Sequence, residues 1–254
     1  MWNRQAVKET GLISMKRNYW NSVLVAFIAT LFAGASAGLG RSVGNSSSWK
    51  EEFENSNFTG FSDISLDDPQ TIAIFMVVLG AIGVIALIAA LLRILVFNPL
   101  TVGCDKFFIR NQYENASASE IGYAFKNNYG NTVLAMFLMR LIIGLGFICF
   151  FVPGVILSFS YKLVPYILSE EPELGAVDVL KKSRAMMQGN KWNWFVFELS
   201  YIGWHILAAF TCEILNLFYV SPYLQNALAA LYIAVRDNFN GYTQTQVVDT
   251  PPVN

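Results

Sequence analysis

An all-α, polytopic membrane helical bundle of about six transmembrane helices is the fold class this sequence predicts, and three observations predict it. Hydrophobic residues make up 54% of the 254-residue chain and charged residues only 14%, against roughly 25% charged in soluble globular proteins. The mean hydropathy is +0.43. At about 20 residues per span, half of such a chain supplies about six spans, and what remains is too short to bury a separate core. Residues 1–236 therefore read as a single six-span membrane domain, with an extracellular loop over 40–70 and a short, flexible cytoplasmic tail over 237–254.

The spans follow in order as apolar runs: Ser22–Leu39, Thr71–Phe97, Thr132–Val152, Val155–Leu168, Trp194–Phe210 and Ile214–Val235. The first continues past signal-peptide length without a cleavage site, so it is expected to stay in the chain. Span four is only about 14 residues and either crosses or dips. Val152-Pro153-Gly154 predicts a tight turn between spans three and four, and Thr211-Cys212-Glu213 joins five to six.

Orientation follows from the basic residues. Arg4, Lys8, Lys16 and Arg17 precede span one, Lys106, Arg110 and Lys126 follow span two, Lys181, Lys182, Arg184 and Lys191 follow span four, and Arg236 follows span six. Only Arg41 and Lys50 stand on the other side, among six acids from Glu51 to Asp68. Both termini are thus expected in the cytoplasm, which also favours counting span four.

Short amphipathic interfacial helices are expected between the spans. Ser117-Ala118-Ser119-Glu120 has the pattern of a capping box, opening a helix with Ile121, Ala124 and Phe125 on one face. Farther on, Ala176, Val177, Leu180 and Met187 share an arc from which Lys181 and Lys182 point away, a helix for the membrane surface or for packing on the protein. Tyr19-Trp20-Asn21, Tyr129-Gly130-Asn131 and Gly189-Asn190-Lys191-Trp192 each stand before a pair of spans. This spacing suggests three helix-plus-hairpin repeats, although interfacial aromatics in any six-span protein look the same.

Phe151-Val152-Pro153-Gly154-Val155-Ile156, Ser160 to Leu168, Glu173-Leu174-Gly175-Ala176 and Ser183 to Trp192 resemble the bacterial integral membrane proteins of domain-of-unknown-function family 975. Asn98-Pro99-Leu100-Thr101-Val102-Gly103 and Tyr201-Ile202-Gly203-Trp204 also fit. The similarity covers about residues 4 to 236. It implies a multi-pass protein of a bacterial plasma membrane and brings no activity, cofactor or site residue with it.

Ionisable residues inside spans are costly and mark sites by default. Arg93, Arg140, Lys162 and Glu198 all fall in the inner half of their spans. Three bases against one acid leave a positive excess that suits a lipid phosphate or another anion. Alternatively, Arg93 and Lys162 snorkel while Arg140 pairs with Glu198. Trp194, Glu198, Tyr201 and His205 share a helical face, and Asn216, Tyr219, Tyr223 and Asn226 answer them on span six. Such a polar seam serves as a pathway or as interhelical hydrogen bonds, each worth about 0.6 kcal/mol. Pro222 can loosen the second helix there.

A net charge of -1 leaves no basic footprint for nucleic acid. Cys104, Cys149, Cys212 and the single His205 do not combine into a zinc site, no cofactor motif is present, and no catalytic constellation appears, so no enzyme is expected. Small residues from Gly34 to Gly38 offer a packing face, and the sequons at Asn45 and Asn57 mark only a hydrophilic loop. Function then reads as binding or moving an amphiphilic or anionic molecule, a lipid or a peptide. The alternative is a structural or accessory subunit that docks another membrane protein. Membrane lipids are partners in either case.

Overall fold

The computed structural model describes residues 2–41, 69–211 and 213–249, and every regular element among them is helical. Residues 42–68, with both sequons, lie outside the described residues, as do the side chains of the Gly34–Gly38 stretch and residues 250–254. The helices are α1 (Arg4–Arg17), α2 (Tyr19–Arg41), α3 (Pro69–Leu92), α4 (Asn98–Tyr113), α5 (Tyr123–Lys126), α6 (Tyr129–Cys149), α7 (Phe151–Ser160), α8 (Val164–Glu170), α9 (Ala176–Met186), α10 (Lys191–Leu199), α11 (Ile202–Phe210) and α12 (Ser221–Asp249). π-Helical turns at Arg93–Phe97 and Asn216–Val220 lead into α4 and α12, and a 3₁₀ turn spans Ala118–Gly122.

Among the described residues three helices are long and apolar enough to cross a membrane: Leu79–Tyr113, Tyr129–Cys149 and Phe151–Glu170. Tyr19–Thr30 is a shorter apolar helix. The chain forms two compact units, residues 31–95 and residues 1–30 with 96–254. In the first unit, the side chains from Leu79 to Leu92 are exposed, as suits an apolar helix whose solvent is lipid.

The second unit holds the core. Helix α1 packs along α12, α4 meets α8 and α12, and α9 lies on α6 and α8. Spans three and four do form a hairpin, but the turn is not where the sequence suggests. Phe150 makes it alone, in extended backbone (φ -160°), and Val152-Pro153-Gly154 forms the first turn of α7. Proline's missing N–H costs nothing there. Gly154 serves closeness instead, since a β-carbon on it would meet the Phe147 ring at 2.5 Å and the Phe147 backbone at 2.9 Å.

The fourth apolar segment is longer than expected, because α7 and α8 join through a turn at Tyr161–Leu163 into the 20-residue helix Phe151–Glu170. Pro165 explains the turn: it lacks the N–H that would bond back to Tyr161 and crowds that carbonyl. The segments expected as spans five and six are each made of two helical pieces, α10 with α11 and the second π-turn with α12. Residues 237–249 of the expected tail continue α12 as helix.

The two interfacial segments are also adjusted. Ser117 caps as expected, accepting from the Ser119 N–H at 3.3 Å, but Glu120 turns to Arg110 at 2.5 Å instead of closing the box. Ala124 is buried while Phe125 is 42% exposed. On α9, Ala176, Val179, Leu180, Ser183 and Met186 are buried and Val177 is exposed. The buried face packs against protein and runs through Val179 and Ser183, because α6 and α8 approach from that side.

Candidate functional site

The predicted seam begins on α10. Trp194 and Phe197 are fully buried, which places Glu198 beside them at the edge of the core. Trp194 Nε1 donates to Glu198 Oε1 at 3.0 Å, and Lys162 Nζ pairs with the same oxygen at 2.9 Å. Lys162, from the turn between α7 and α8, is therefore the ion partner of Glu198, where Arg140 was expected. Both side chains keep outside contact, at 40% and 28% exposure. Arg140 is half-buried on α6, and Arg93 opens the first π-turn in the unit of residues 31–95.

A buried acid escaped the sequence reading. Asp105 on α4 is only 7% exposed, and Lys162 is the base whose charge reaches it. Asp105 standing between Val102 and Phe107 was the available signal, since a lone acid in such company is buried only with a partner.

Beyond Glu198 the helix breaks. Ser200 Oγ donates back to the Phe197 carbonyl at 2.6 Å, and the Tyr201 N–H takes the Glu198 carbonyl, three residues back. Such local bonds end an α-helix. Tyr201 is buried, whereas His205, whose N–H still bonds the Tyr201 carbonyl at 3.1 Å, lies in the stretch 202–207 that is exposed throughout.

What occupies the seam is aromatic. Ring centroids run from Trp2 to Phe197 (6.2 Å), Phe197 to Tyr201 (5.6 Å), Tyr201 to Tyr223 (5.2 Å), Tyr223 to Tyr219 (6.0 Å) and Tyr219 to Trp204 (5.5 Å). At one end Trp204 is 38% exposed among the exposed Ile202, Ile206 and Phe210. Nearer the Trp2 end the Lys8 ammonium of α1 lies 5.0 Å from the Tyr201 ring and 6.0 Å from Phe197. Burial, and then the neighbouring Arg4, hold the Lys8 pKa below its ordinary value. A cation on ring faces is attracted by their quadrupoles. Neither Trp2 nor Lys8 was predicted, because they precede the first span and only the tertiary fold carries α1 to α10.

Asn216 starts the second π-turn and donates to Glu213 Oε2 at 2.9 Å. Asn226 is elsewhere, at the centre of a buried knot. Its Oδ1 accepts from Asn111 Nδ2 at 2.8 Å and its Nδ2 donates to the Pro222 carbonyl at 2.8 Å and to Ser22 Oγ at 3.3 Å. Gln112 Nε2 donates to the Asn226 carbonyl at 3.1 Å, and Ser14 Oγ donates to Gln112 Oε1 at 2.9 Å. The knot joins α1, α2, α4 and α12, so the structure brings Lys162, Glu198 and Tyr201 to one neighbourhood and assigns Asn226 to holding helices together.

Among the described residues no cluster of three or more His, Cys, Asp or Glu is placed to hold a metal ion. The architecture of the described residues is all-helical, with three helices of membrane-crossing length and an aromatic seam at the break between α10 and α11. The chain belongs to the family described as Protein of unknown function (DUF975), whose model matches residues 72–239. The stretch from residue 4 to 71, included in the expected resemblance, lies outside that match. No curated protein and no solved structure matches the chain.

Proposed function

We propose that this chain binds or moves an amphiphilic, anionic molecule, most simply a membrane lipid, without enzymatic chemistry. The observation that carries the reading is the run of six aromatic rings from Trp2 to the exposed Trp204 with the Lys8 ammonium against its middle. A hydrocarbon chain packs on such rings, and an ammonium already partly stripped of water gains most from an anion. The break between α10 and α11 supports the same reading, since irregular backbone inside a membrane is tolerated where it lines a cavity or is buried in protein.

The setting belongs to this proposal: a six-span protein of a bacterial plasma membrane, built of three helix-plus-hairpin units, with both termini cytoplasmic and residues 40–70 outside. The broken pieces α10 with α11, and the π-turn with α12, supply spans five and six if each is read as one discontinuous crossing. Single cysteines at Ser47 and Ser117 in a cysteine-free background test the orientation. Only Ser47 is expected to be labelled from outside, and labelling of both overturns it.

Binding itself is tested by native mass spectrometry of gently extracted protein. Wild type is expected to retain anionic lipid, and Lys8→Ala and Tyr201→Ala to lose most of it. An unchanged lipid complement in both variants overturns the proposal.

A further inference from the structure

Where the aromatic run begins, Trp2 also walls a pocket of about 260 Å³. Phe239 of α12 lies across it, and the polar lining consists of Gln188 and Asn190 from the α9–α10 connection, Asn193 of α10 and Asn238 of α12. None of the side chains lining it is charged. Asn190 Nδ2 is used by the Met186 carbonyl at 3.0 Å. Among the described residues the side chains of Gln188, Asn193 and Asn238 make no hydrogen bond within the chain, and Asn193 and Asn238 are half-buried.

Each free carboxamide presents two donors and an acceptor side by side. Several of them on one wall match a ligand whose groups both donate and accept, which hydroxyls do and phosphate or ammonium groups do not. Aromatic walls suit the carbon face of such a ligand, while the absence of charge removes any preference for an ion. The size lies just under the ~300 Å³ at which pockets for whole small molecules begin, so a headgroup fits and a complete lipid does not. Phe197 connects the two places, with the Trp2 ring at 6.2 Å and the Lys8 ammonium at 6.0 Å.

We infer that this pocket holds the neutral polyhydroxyl headgroup of a phosphodiester lipid, whose phosphate meets Lys8 and whose chain lies along the less buried rings of the run, Tyr223, Tyr219 and Trp204. The inference rests on the proposed lipid binding and names its substrate class. A glycerol headgroup on a phospholipid and a sugar on a polyprenyl phosphate share this chemistry.

The test titrates the full-length protein in detergent micelles with three lipids, read by native mass spectrometry. They are phosphatidylglycerol, phosphatidic acid with the same acyl chains, and a glucosyl phosphoryl polyprenol. At least one headgroup-bearing lipid is expected to bind about five-fold or more tighter than phosphatidic acid, as one or two added hydrogen bonds give. Which one does so separates the glycerol from the sugar source. The double variant Asn193→Ala, Asn238→Ala is expected to lower that lipid to the level of phosphatidic acid and to leave phosphatidic acid unchanged. Gln188→Ala, at an exposed position, gives the same comparison with a partial loss should the double variant unfold. Equal binding of all three lipids to wild type, or a preference that survives both sets of substitutions, overturns the inference. If phosphatidic acid binding is indifferent to Tyr201→Ala and Lys8→Ala, the seam reading fails instead, and the headgroup preference is read separately.

Discussion

Two groups of side-chain amides border α12 and are treated in opposite ways. Asn226, Asn111 and Gln112 are locked into one another and into backbone carbonyls, deep between α1, α2, α4 and α12. Twelve residues farther along α12, Asn238 faces Gln188 and Asn193 across a pocket in which those three side chains have no hydrogen-bond partner among the described residues. A satisfied buried amide contributes about 1 kcal/mol, whereas the half-buried or exposed amides of the pocket can be solvated by water. The first group therefore acts on stability, and the second remains available for something outside the chain. On the proposed lipid binding, contact with the ligand falls to the amides whose hydrogen bonds are left open.

The largest effect is expected from breaking the closed group. Asn226→Leu removes the acceptor of Asn111 and the donor to Ser22, leaving polar groups stranded among four helices, at a cost of about 3 kcal/mol. The thermal midpoint in detergent should fall by roughly 10 °C, while lipid retention by the folded fraction stays as in wild type. A midpoint within a degree or two of wild type would remove the structural role assigned to the knot. Next comes the contact that brings α1 to α12. A β-carbon on Gly11 would meet the Ala227 backbone at 2.6 Å, so Gly11→Ala should force α1 away and cost about 2 kcal/mol. Because α1 carries Lys8, this variant should also lose lipid, which Asn226→Leu should not.

That difference bears on what the sequence could reveal. Long apolar runs announce themselves, and the three strongest, in α3–α4, α6 and α7–α8, are helices of crossing length. Asn226 and Tyr201 stood out because a polar group in an apolar stretch needs a reason. Local assignments failed where tertiary packing decided. His205 sits in a stretch that is exposed throughout, and Phe150 took the turn from Pro153 because one extended residue suffices when Gly154 lets the helices touch. Pairing was illegible for a different reason. Lys162, Arg140 and Arg93 look alike in the sequence, and only the turn that Pro165 imposes aims Lys162 at Glu198. Trp2, Lys8, Asn193 and Asn238 lie in segments that read as polar surface, and tertiary folding alone brings them together.

A smaller effect sharpens the comparison at the partly open pair. Glu198→Gln keeps an acceptor for Trp194 Nε1 and removes the charge opposite Lys162. With both side chains substantially exposed, at 40% and 28%, the loss of stability should stay at about 1 kcal/mol or less. Lys162→Met in the same chain should add little to Glu198→Gln, because each single change already deletes the pair, and additivity of the two losses would show that they act separately. Lipid retention should not change in either, since the phosphate is assigned to Lys8.

The smallest effect has the opposite sign. Asn98, at the first residue of α4 after the π-turn, is fully buried, and neither its Nδ2 nor its Oδ1 has a hydrogen-bond partner among the described residues. It resembles the open amides of the pocket in its unused groups and the knot in its depth. If it is only a structural residue, Asn98→Leu replaces two unsatisfied polar atoms with apolar ones of similar volume and should stabilise the protein, by about 1 kcal/mol at most. The midpoint would rise by a few degrees, with no change in retained lipid. A fall in the midpoint together with a loss of lipid would instead place Asn98 with the open amides, as a group whose partner comes from outside the chain.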